Sequence, residues 1–456
     1  MSTKPWNILL LTVDCWRADY LGEQGDDDSP TPFIDILASR SAVFQQAIAC
    51  GGWTRPSLTA MFSSTQASLY GGPLGKLSSQ RPMLPVLLQE HGYDTAGFTT
   101  NPQVGKLFGF EHGFNTFVDC EPDGTFAGPG WARINGAQKL LQKPLTHSVL
   151  NRLGVNSLPP EITVPANQLS ELAADWMVQP RKQPFFLWAH FMDAHWPYHN
   201  LRKPYTPSEA AQSWRDINLM YRISGEHGRM YPGNEQVARL RQLYGEAISF
   251  VDQWIGYLIY HLQSSEVLDR TVVILTSDHG EEFYEHGRWG HYQMYDESLR
   301  VPLLVHIPER AKNTHVTQQV SLLDIAPTIL SLANINIPAE MKGVDLKCYL
   351  DDQSNPPQDA YAESIWSDNY RLAIRNERFK YIYDQKRAPD CELYDLQEDP
   401  GEKRNIYDPH TSIAQKFDEK RKRIESLAEK TSQGARKSAK LDPAMLERLR
   451  ALGYLE

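Results

Sequence analysis

Cysteine is scarce in this sequence, and the five present are scattered. Cys15, Cys50, Cys120, Cys348 and Cys391 are odd in number and contain no Cys-x-x-Cys pair. That excludes a disulfide framework, a zinc ribbon and a dithiol redox motif, and leaves reduced thiols as the expectation. Long apolar runs are missing too. The N-terminal NILLLTV is only seven residues long, too short for a membrane span or for a signal core with its cleavage site. It reads instead as a buried strand, and the chain as a cytoplasmic protein with no membrane span. There is no excess of basic residues: 46 Lys and Arg face 56 Asp and Glu, a net charge of −10. The global field repels phosphate backbones, so no nucleic-acid polymer is expected as a partner, and a small anionic substrate must be drawn in by a local site. Internal repeats and low-complexity tracts are absent as well.

What is present is an ordinary globular composition, 41% apolar and 22% charged over 456 residues, too many for one simple core. Short apolar runs bounded by polar residues, NILLLTV, DTAGFTT, PFFLWAHF, TVVILTS and VPLLVHI, predict buried strands of a largely parallel sheet. Between them PFIDILASRSAVF, PSLTAMFSS, PMLPVLLQEHG and QLYGEAISFVDQWIGYLIYHLQ read as helices, giving an α/β sandwich with helices on both faces. Segments 121–165 and 196–235, rich in Gly, Pro and aromatics, interrupt the alternation and suit either lids or surface excursions. After residue 352 the pattern changes: RLAIRNERFKYIYD and CELYDLQEDPGEKRNIYD predict a small antiparallel unit, and the mixed-charge tail predicts solvated helices. The expected organisation is a catalytic α/β domain at 1–352 and a smaller α+β domain at 353–456.

In open α/β sheets ligands gather at the carboxyl ends of the strands. Three of the runs end in chemistry: Asp14 follows NILLLTV, Asp278 and His279 follow TVVILTS, and PFFLWAHFMDAH delivers His190 and His195. A carboxylate pair with an imidazole suits a divalent ion such as Mn²⁺ or Zn²⁺, with Gly280 permitting the turn that would let Asp278 and His279 grip one ion. A second stretch, CGGWTRPSLTAMFSS, places Thr54 where a loop becomes a helix. From local sequence it is a helix cap or a nucleophile.

The stretches NILLLTVDCWRADYLG, TPFIDILASRSAVF, the TRPS loop, AGFTTNPQVGKLFGFEHGF, FFLWAHFMDAHWPY, ILTSDHGEEFYEHGRWGHYQMYDESLRVPLLV, SLLDIAPTILSLANI and CELYDLQEDPGEKRNIY together resemble, in order, the sulfatase family of the alkaline phosphatase superfamily. The resemblance runs over almost the whole chain. It implies an alkaline-phosphatase-like sandwich and a metal held by Asp14, Asp278, His279 and the nucleophile Thr54. A second Asp is common beside the first; here that position is Cys15, a doubtful ligand, and its loss favours Mn²⁺ or Zn²⁺ over Ca²⁺.

The family's nucleophile motif, Cys/Ser-x-Pro-x-Arg, matures to formylglycine. Here its first and last positions are Thr54 and Leu58. Oxidising a threonine would give a ketone and not an aldehyde, and the Arg is gone, so no formylglycine is expected. A Thr54 alkoxide can still attack, with the metal lowering its pKa and the helix start favouring the anion. Superfamily members with a Thr nucleophile act on phosphate esters; Asn101 stands near the place of the family's Lys-x-His pair without the lysine, and His291 replaces the lysine expected before the YDE stretch. Two fewer cations favour a phosphodiester or phosphonate monoester over a dianion. The resemblance further implies His195 as an anion-binding residue able to protonate the leaving oxygen, with His291 as a second choice. Asn101 would donate to a non-bridging oxygen, or cap a turn; His190, Arg55, His199 and His286 are weaker candidates. A one-metal hydrolase is expected, with a phospho-group transferase to an alcohol, or a binding protein that lost catalysis, as the alternatives.

Overall fold

The computed structural model describes residues 5–22, 29–120, 164–198, 207–223, 231–308, 310, 313–350, 358–366 and 369–432, with isolated positions near the C-terminus. Its centre is a mixed sheet of β1 (Asn7–Val13), β2 (Ala42–Ile48), β3 (Asp94–Thr99), β4 (Thr116–Asp119), β5 (Phe185–Phe191), β6 (Thr271–Ser277), β9 (Arg300–Val301), β10 (Leu303–His306) and β11 (Thr314–Ser321). The spatial order is β11-β2-β10-β6-β1-β5-β3-β4, with β9 beside β2. A two-residue pair, β7 (Glu282–Phe283) and β8 (Trp289–Gly290), lies between β6 and β9 in the chain.

The continuous apolar runs follow from burial on both faces. Along β1, Ile8 and Leu10 enter one apolar core with Trp188, Ile274 and Phe62, while Leu9, Leu11 and Val13 enter another with Leu187, Leu275 and Leu258. The period of two thus splits one strand between two cores, the second covered by the long helix Asn234–Ser264.

Two expectations need correction. PFIDILASRSAVF is not one helix: the helix runs Pro32–Ala38, and β2 begins at Ala42. The polar turn Ser39-Arg40-Ser41 separates them, and the buried Val43 and Phe44 form part of the two cores. The VPLLVHI strand is also not parallel, since β10 pairs antiparallel with both β6 and β2.

The antiparallel unit expected after 352 is a meander of β12 (Ala360–Trp366), β13 (Asn369–Arg375), β14 (Phe379–Asp384) and β15 (Glu392–Asp395). Helix Ser412–Thr431 buries Ala414, Phe417 and Ile424, and Phe417 stacks on Tyr381, so this part of the tail is amphipathic. The expected boundary at 352, residues 121–163, 199–206 and 224–230 of the two lid-like segments, and His199 lie outside the described residues. No helix among the described residues is long and apolar enough to cross a membrane.

Candidate active site

Strands β6, β1, β5 and β3 are adjacent and parallel, so their carboxyl ends stand abreast. Val13 is level with Ser277 on one side and Phe191 on the other, and Thr99 with His190. The residues that follow therefore converge: Asp14 after β1, Asp278 and His279 after β6, His190 within β5, and Asn101 after β3. Thr54 arrives from the helix Thr54–Ser63. That helix is seated against the end of β6 by Ser57, whose Oγ donates to the Asp278 carbonyl at 2.5 Å.

Thr54 does not cap its helix. Trp53 is the N-cap residue, and the Thr54 hydroxyl turns away from the backbone amides toward the cluster. Oγ1 donates to Asp14 Oδ2 at 3.3 Å, lies 3.3 Å from His279 Nε2, and accepts from Asn101 Nδ2 at 3.3 Å. It is completely buried. Asn101 answers to both of its readings: Nδ2 donates to Asp14 Oδ2 at 2.7 Å, while Oδ1 accepts from Gln103 N at 2.8 Å and caps a short 3-10 turn.

Asp14 and Asp278 share one buried site. Burial pushes the Asp14 carboxyl up, but the His190 hydrogen bond and the charges of His195 and His279 outweigh it and hold the group well below the usual range. Asp278 is driven well above that range, by burial first and then by the charge of Asp14. Two carboxylates this close ionise together only with a cation between or beside them. The ion pairs that reach them come from His190 and His279 alone among the described residues, and Asp278 Oδ2 accepts no hydrogen bond. His279 is oriented for a cation as well, since Nδ1 faces the Gly280 carbonyl at 2.9 Å and Nε2 turns inward. The donor set Asp14, Asp278, His279 and Thr54 fits a divalent ion.

Gly280 has a different role from the one expected. Its φ is not positive; a Cβ there would strike the Glu297 carbonyl, because Gly280 N donates to Ser298 O at 2.8 Å in a close backbone approach.

Of the weaker candidates, His190 belongs to the cluster and touches Asp14. Its Nε2 is 3.2 Å from Asp14 Oδ2 and its Nδ1 2.8 Å from Thr12 Oγ1, which in turn accepts from Trp188. It thus orients Asp14, and substrate contact is not its evident role. Arg55 is not in the site. Its guanidinium lies over the Phe108 ring and donates to the carbonyls of Pro73 and Leu74 and to Gln103, which fixes a loop. His286 stacks on Tyr295 and pairs with Glu297, away from Asp14.

His195 and His291 do reach the site, with ring centroids 5.0 Å apart and His291 4.8 Å from His279. Burial pushes His195 down to about 4; burial and then the His279 charge push His291 well below its usual value. Burial thus disfavours the charged form of both imidazoles. Cys15 Sγ donates to Asp14 Oδ1 at 3.2 Å and stands 3.7 Å from His291 Nδ1, and burial raises the thiol well above its ordinary value. Glu281 was not foreseen. It is fully buried, 3.4 Å from His291 Nδ1, and pushed up to about 7 by burial. In sequence it is one of two acids after a glycine, a pattern that ordinarily marks a solvated turn.

A family model described as Sulfatase matches residues 6–335, and one described as N-sulphoglucosamine sulphohydrolase, C-terminal, matches 284–430. Choline-sulfatase of Rhizobium meliloti is 28% identical over 437 residues, spanning 89% of this chain and 83% of that one. N-acetylglucosamine-6-O-sulfatase of Bacteroides thetaiotaomicron is 24% identical over 477 residues, with the shares 89% and 83%. Among solved structures, the phosphonate monoester hydrolase of Agrobacterium radiobacter superposes with a TM-score of 0.69 at 21% identity, covering 93% of this chain and 96% of that one. At that identity the likeness speaks for the fold.

Proposed function

The chain belongs to the sulfatase family of ester-bond hydrolases, and from that premise we propose that it cleaves a phosphate or sulfate ester, with a phosphodiester or phosphonate monoester favoured, by attack of Thr54. The observation that carries this reading is the Thr54 hydroxyl itself, buried at a helix start within 3.3 Å of Asp14, His279 and Asn101.

Asp14, Asp278, His279 and Thr54 would hold a divalent cation, as the family generally does; Mn²⁺ or Zn²⁺ suits a set with an imidazole and few carboxylates. Such an ion lowers the pKa of the hydroxyl and offsets the charge of the transferred anion. Thr54 Oγ1 gives its proton up to solvent and forms the new bond to phosphorus or sulfur, while the bond to the leaving oxygen breaks and that oxygen takes a proton from solvent to depart as the alcohol. Asn101 Nδ2, aimed at the same oxygen, donates to a non-bridging oxygen as charge develops. The helix start adds its partial positive charge. Water then cleaves the threonyl ester and restores the hydroxyl. Formylglycine has no part in this scheme: Leu58, in the place of the motif's Arg, is packed in the apolar core.

A monoanionic ester is favoured by charge. The polar partners of the cluster are histidines, Asn101 and Cys15, so a dianion would lack the lysines that balance it in relatives of the family. Turnover of aryl phosphodiester, phosphonate monoester and sulfate ester by metal-loaded protein tests the class. Thr54→Ala should abolish it, and mass spectrometry of a trapped reaction should find the ester on Thr54. Undiminished turnover in Thr54→Ala would remove the nucleophile from the scheme.

A further inference from the structure

The loop that carries Thr54 is pressed by two other parts of the chain. Strand β12 reaches it through Glu363 N, which donates to the Cys50 carbonyl at 2.9 Å, and the loop after β8 through Tyr292 N, which donates to the Gly52 carbonyl at 2.7 Å. The second approach needs the glycine, since a Cβ on Gly52 would strike the Gln293 carbonyl. Each neighbour delivers an aromatic ring. Trp366, at the end of β12, meets Trp53 edge-on with centroids 5.2 Å apart, and Tyr292 lies 4.4 Å from Trp366 and 6.1 Å from Trp53.

Into this group come two residues from far along the chain. Leu449, 1% exposed, is buried with Trp53 and Met192, and Met445 packs against the same cluster. Both have helical backbone, and residues four apart share one face of a helix. The cluster borders the reacting atoms: Trp53 precedes Thr54, the Tyr292 ring is 4.5 Å from the His291 ring, and the Met192 carbonyl accepts from His195 N at 3.1 Å. Resting on the function proposed above, we propose that Met445 and Leu449 complete an apolar wall with Trp53, Tyr292 and Trp366, and that this wall is the subsite for the organic group of the ester, selecting a flat aromatic one.

The wall is rigid as well as apolar. Tyr292 sits at φ 86, a costly backbone region for a bulky residue. It is held there by its own N–H on Gly52 and by Arg371, whose Nη1 donates to the Tyr292 carbonyl at 3.3 Å. The ring is thus fixed before any ligand arrives. Tyr292, Trp366 and Met445 are half-buried, so each keeps surface that an organic group can cover. Leu449 is a positioning residue, since it is buried and acts through the rings it supports. Aromatic faces favour offset or edge-on packing of another ring, and the thioether of Met445 adapts to its outline. A polyol or sugar would bring its hydroxyls against apolar surface, which disfavours it.

The test is binding by the full chain, read apart from turnover. Metal-loaded wild type and Thr54→Ala are titrated with two diesters of equal charge, diphenyl phosphate and dimethyl phosphate. Diphenyl phosphate should bind more tightly by about tenfold or more. Trp366→Ala and Leu449→Ala should each erase about tenfold of that preference and leave dimethyl phosphate binding nearly unchanged, while Leu449→Met, which conserves volume, should retain it. Circular dichroism checks that each variant is folded; should Leu449→Ala misfold, Met445→Ala, at a half-buried position, carries the test. Equal affinity of the wild type for the two diesters, or folded variants that keep the wild-type preference, overturns the subsite. Turnover of Thr54→Ala is measured separately. No preference, with turnover abolished by Thr54→Ala, sinks the subsite and spares the nucleophile; a preference that the wall variants lose, with undiminished turnover in Thr54→Ala, does the reverse.

Discussion

Asn101→Ala removes a donor that faces both Thr54, the proposed nucleophile, and the carboxylate beside it. Nδ2 is 2.7 Å from Asp14 Oδ2 and 3.3 Å from Thr54 Oγ1, in a site closed to solvent. Removing one such donor to a developing oxyanion costs about 2.7–4 kcal/mol, a factor of about 10²–10³ in kcat. The same truncation removes Oδ1, which holds Gln103 N at 2.8 Å, and losing a cap costs about 1 kcal/mol of stability. Asn101→Asp separates the two effects. It keeps the acceptor for Gln103, so the cap survives, but it sets a third carboxylate against Asp14 and Asp278. That variant should melt lower than wild type without metal, recover with Mn²⁺ or Zn²⁺, and turn over as poorly as Asn101→Ala. The assay is steady-state kcat and KM on an aryl phosphodiester, with thermal melts in chelator and in excess metal. An Asn101→Ala enzyme that keeps more than about a tenth of wild-type kcat would refute the oxyanion role.

His190→Ala should weaken metal binding by about 10–100-fold, because it releases the orientation of Asp14 and leaves the ligand itself in place; calorimetric titration reads this directly, and excess metal should restore turnover. Arg55→Lys should lower stability by about 1–3 kcal/mol, losing the stack on Phe108 and the forked contacts to carbonyls, and should leave KM for the ester nearly unchanged; a large rise in KM with unchanged melting would return Arg55 to the substrate. Lys380→Met should be more damaging, at about 3–5 kcal/mol: the buried ammonium lies 2.9 Å from Asp296 and 2.8 Å from Glu402, and its loss strands the buried Glu402 while Asp296 keeps Arg375. Denaturant melts measure that cost.

The strands of the sheet were legible because burial on both faces writes them as unbroken apolar runs, and the strand-end residues Asp14, Asp278 and His279 inherit their convergence from that parallel register. Direction was not legible. Nothing in VPLLVHI distinguishes a strand running with its neighbours from one running against them, since a buried strand looks the same either way. The helix-to-strand change inside PFIDILASRSAVF was hidden for a similar reason, as apolar residues on both sides of a three-residue turn mimic one amphipathic helix. Among site residues, Asn101 and Thr54 were placed by motif position. Arg55, next to Thr54 in sequence, points elsewhere because the helix rotates successive residues by about 100°. Glu281 was invisible because whether an acid after a glycine is solvated or buried is decided by what folds over it, here Tyr198 and His291.

Five departures from the family's pattern, at Cys15, Thr54, Leu58, Asn101 and His291, become one argument when charge is followed through the site. A formylglycine hydrate has a second hydroxyl to expel its ester, so its pocket can release product without recruiting an activated water. In the proposed scheme Thr54 has one hydroxyl, so its ester is opened by water from outside. With Leu58 in the core and no lysine at positions 101 or 291, positive charge for that second step would come from the one ion that Asp14, Asp278 and His279 would hold. Cys15 in place of a second carboxylate bears on that ion: its Sγ stands 3.2 Å from Asp14 Oδ1, and a sulfur there favours Mn²⁺ or Zn²⁺ over the oxygen cage that calcium selects. On this account Cys15→Asp, which sets a third carboxylate beside Asp14 and Asp278, should not raise turnover. It should slow breakdown of the threonyl ester, so that the trapped ester accumulates on Thr54 while its formation continues. A variant that instead forms the ester slowly and releases it at the wild-type rate would separate Cys15 from the hydrolytic step.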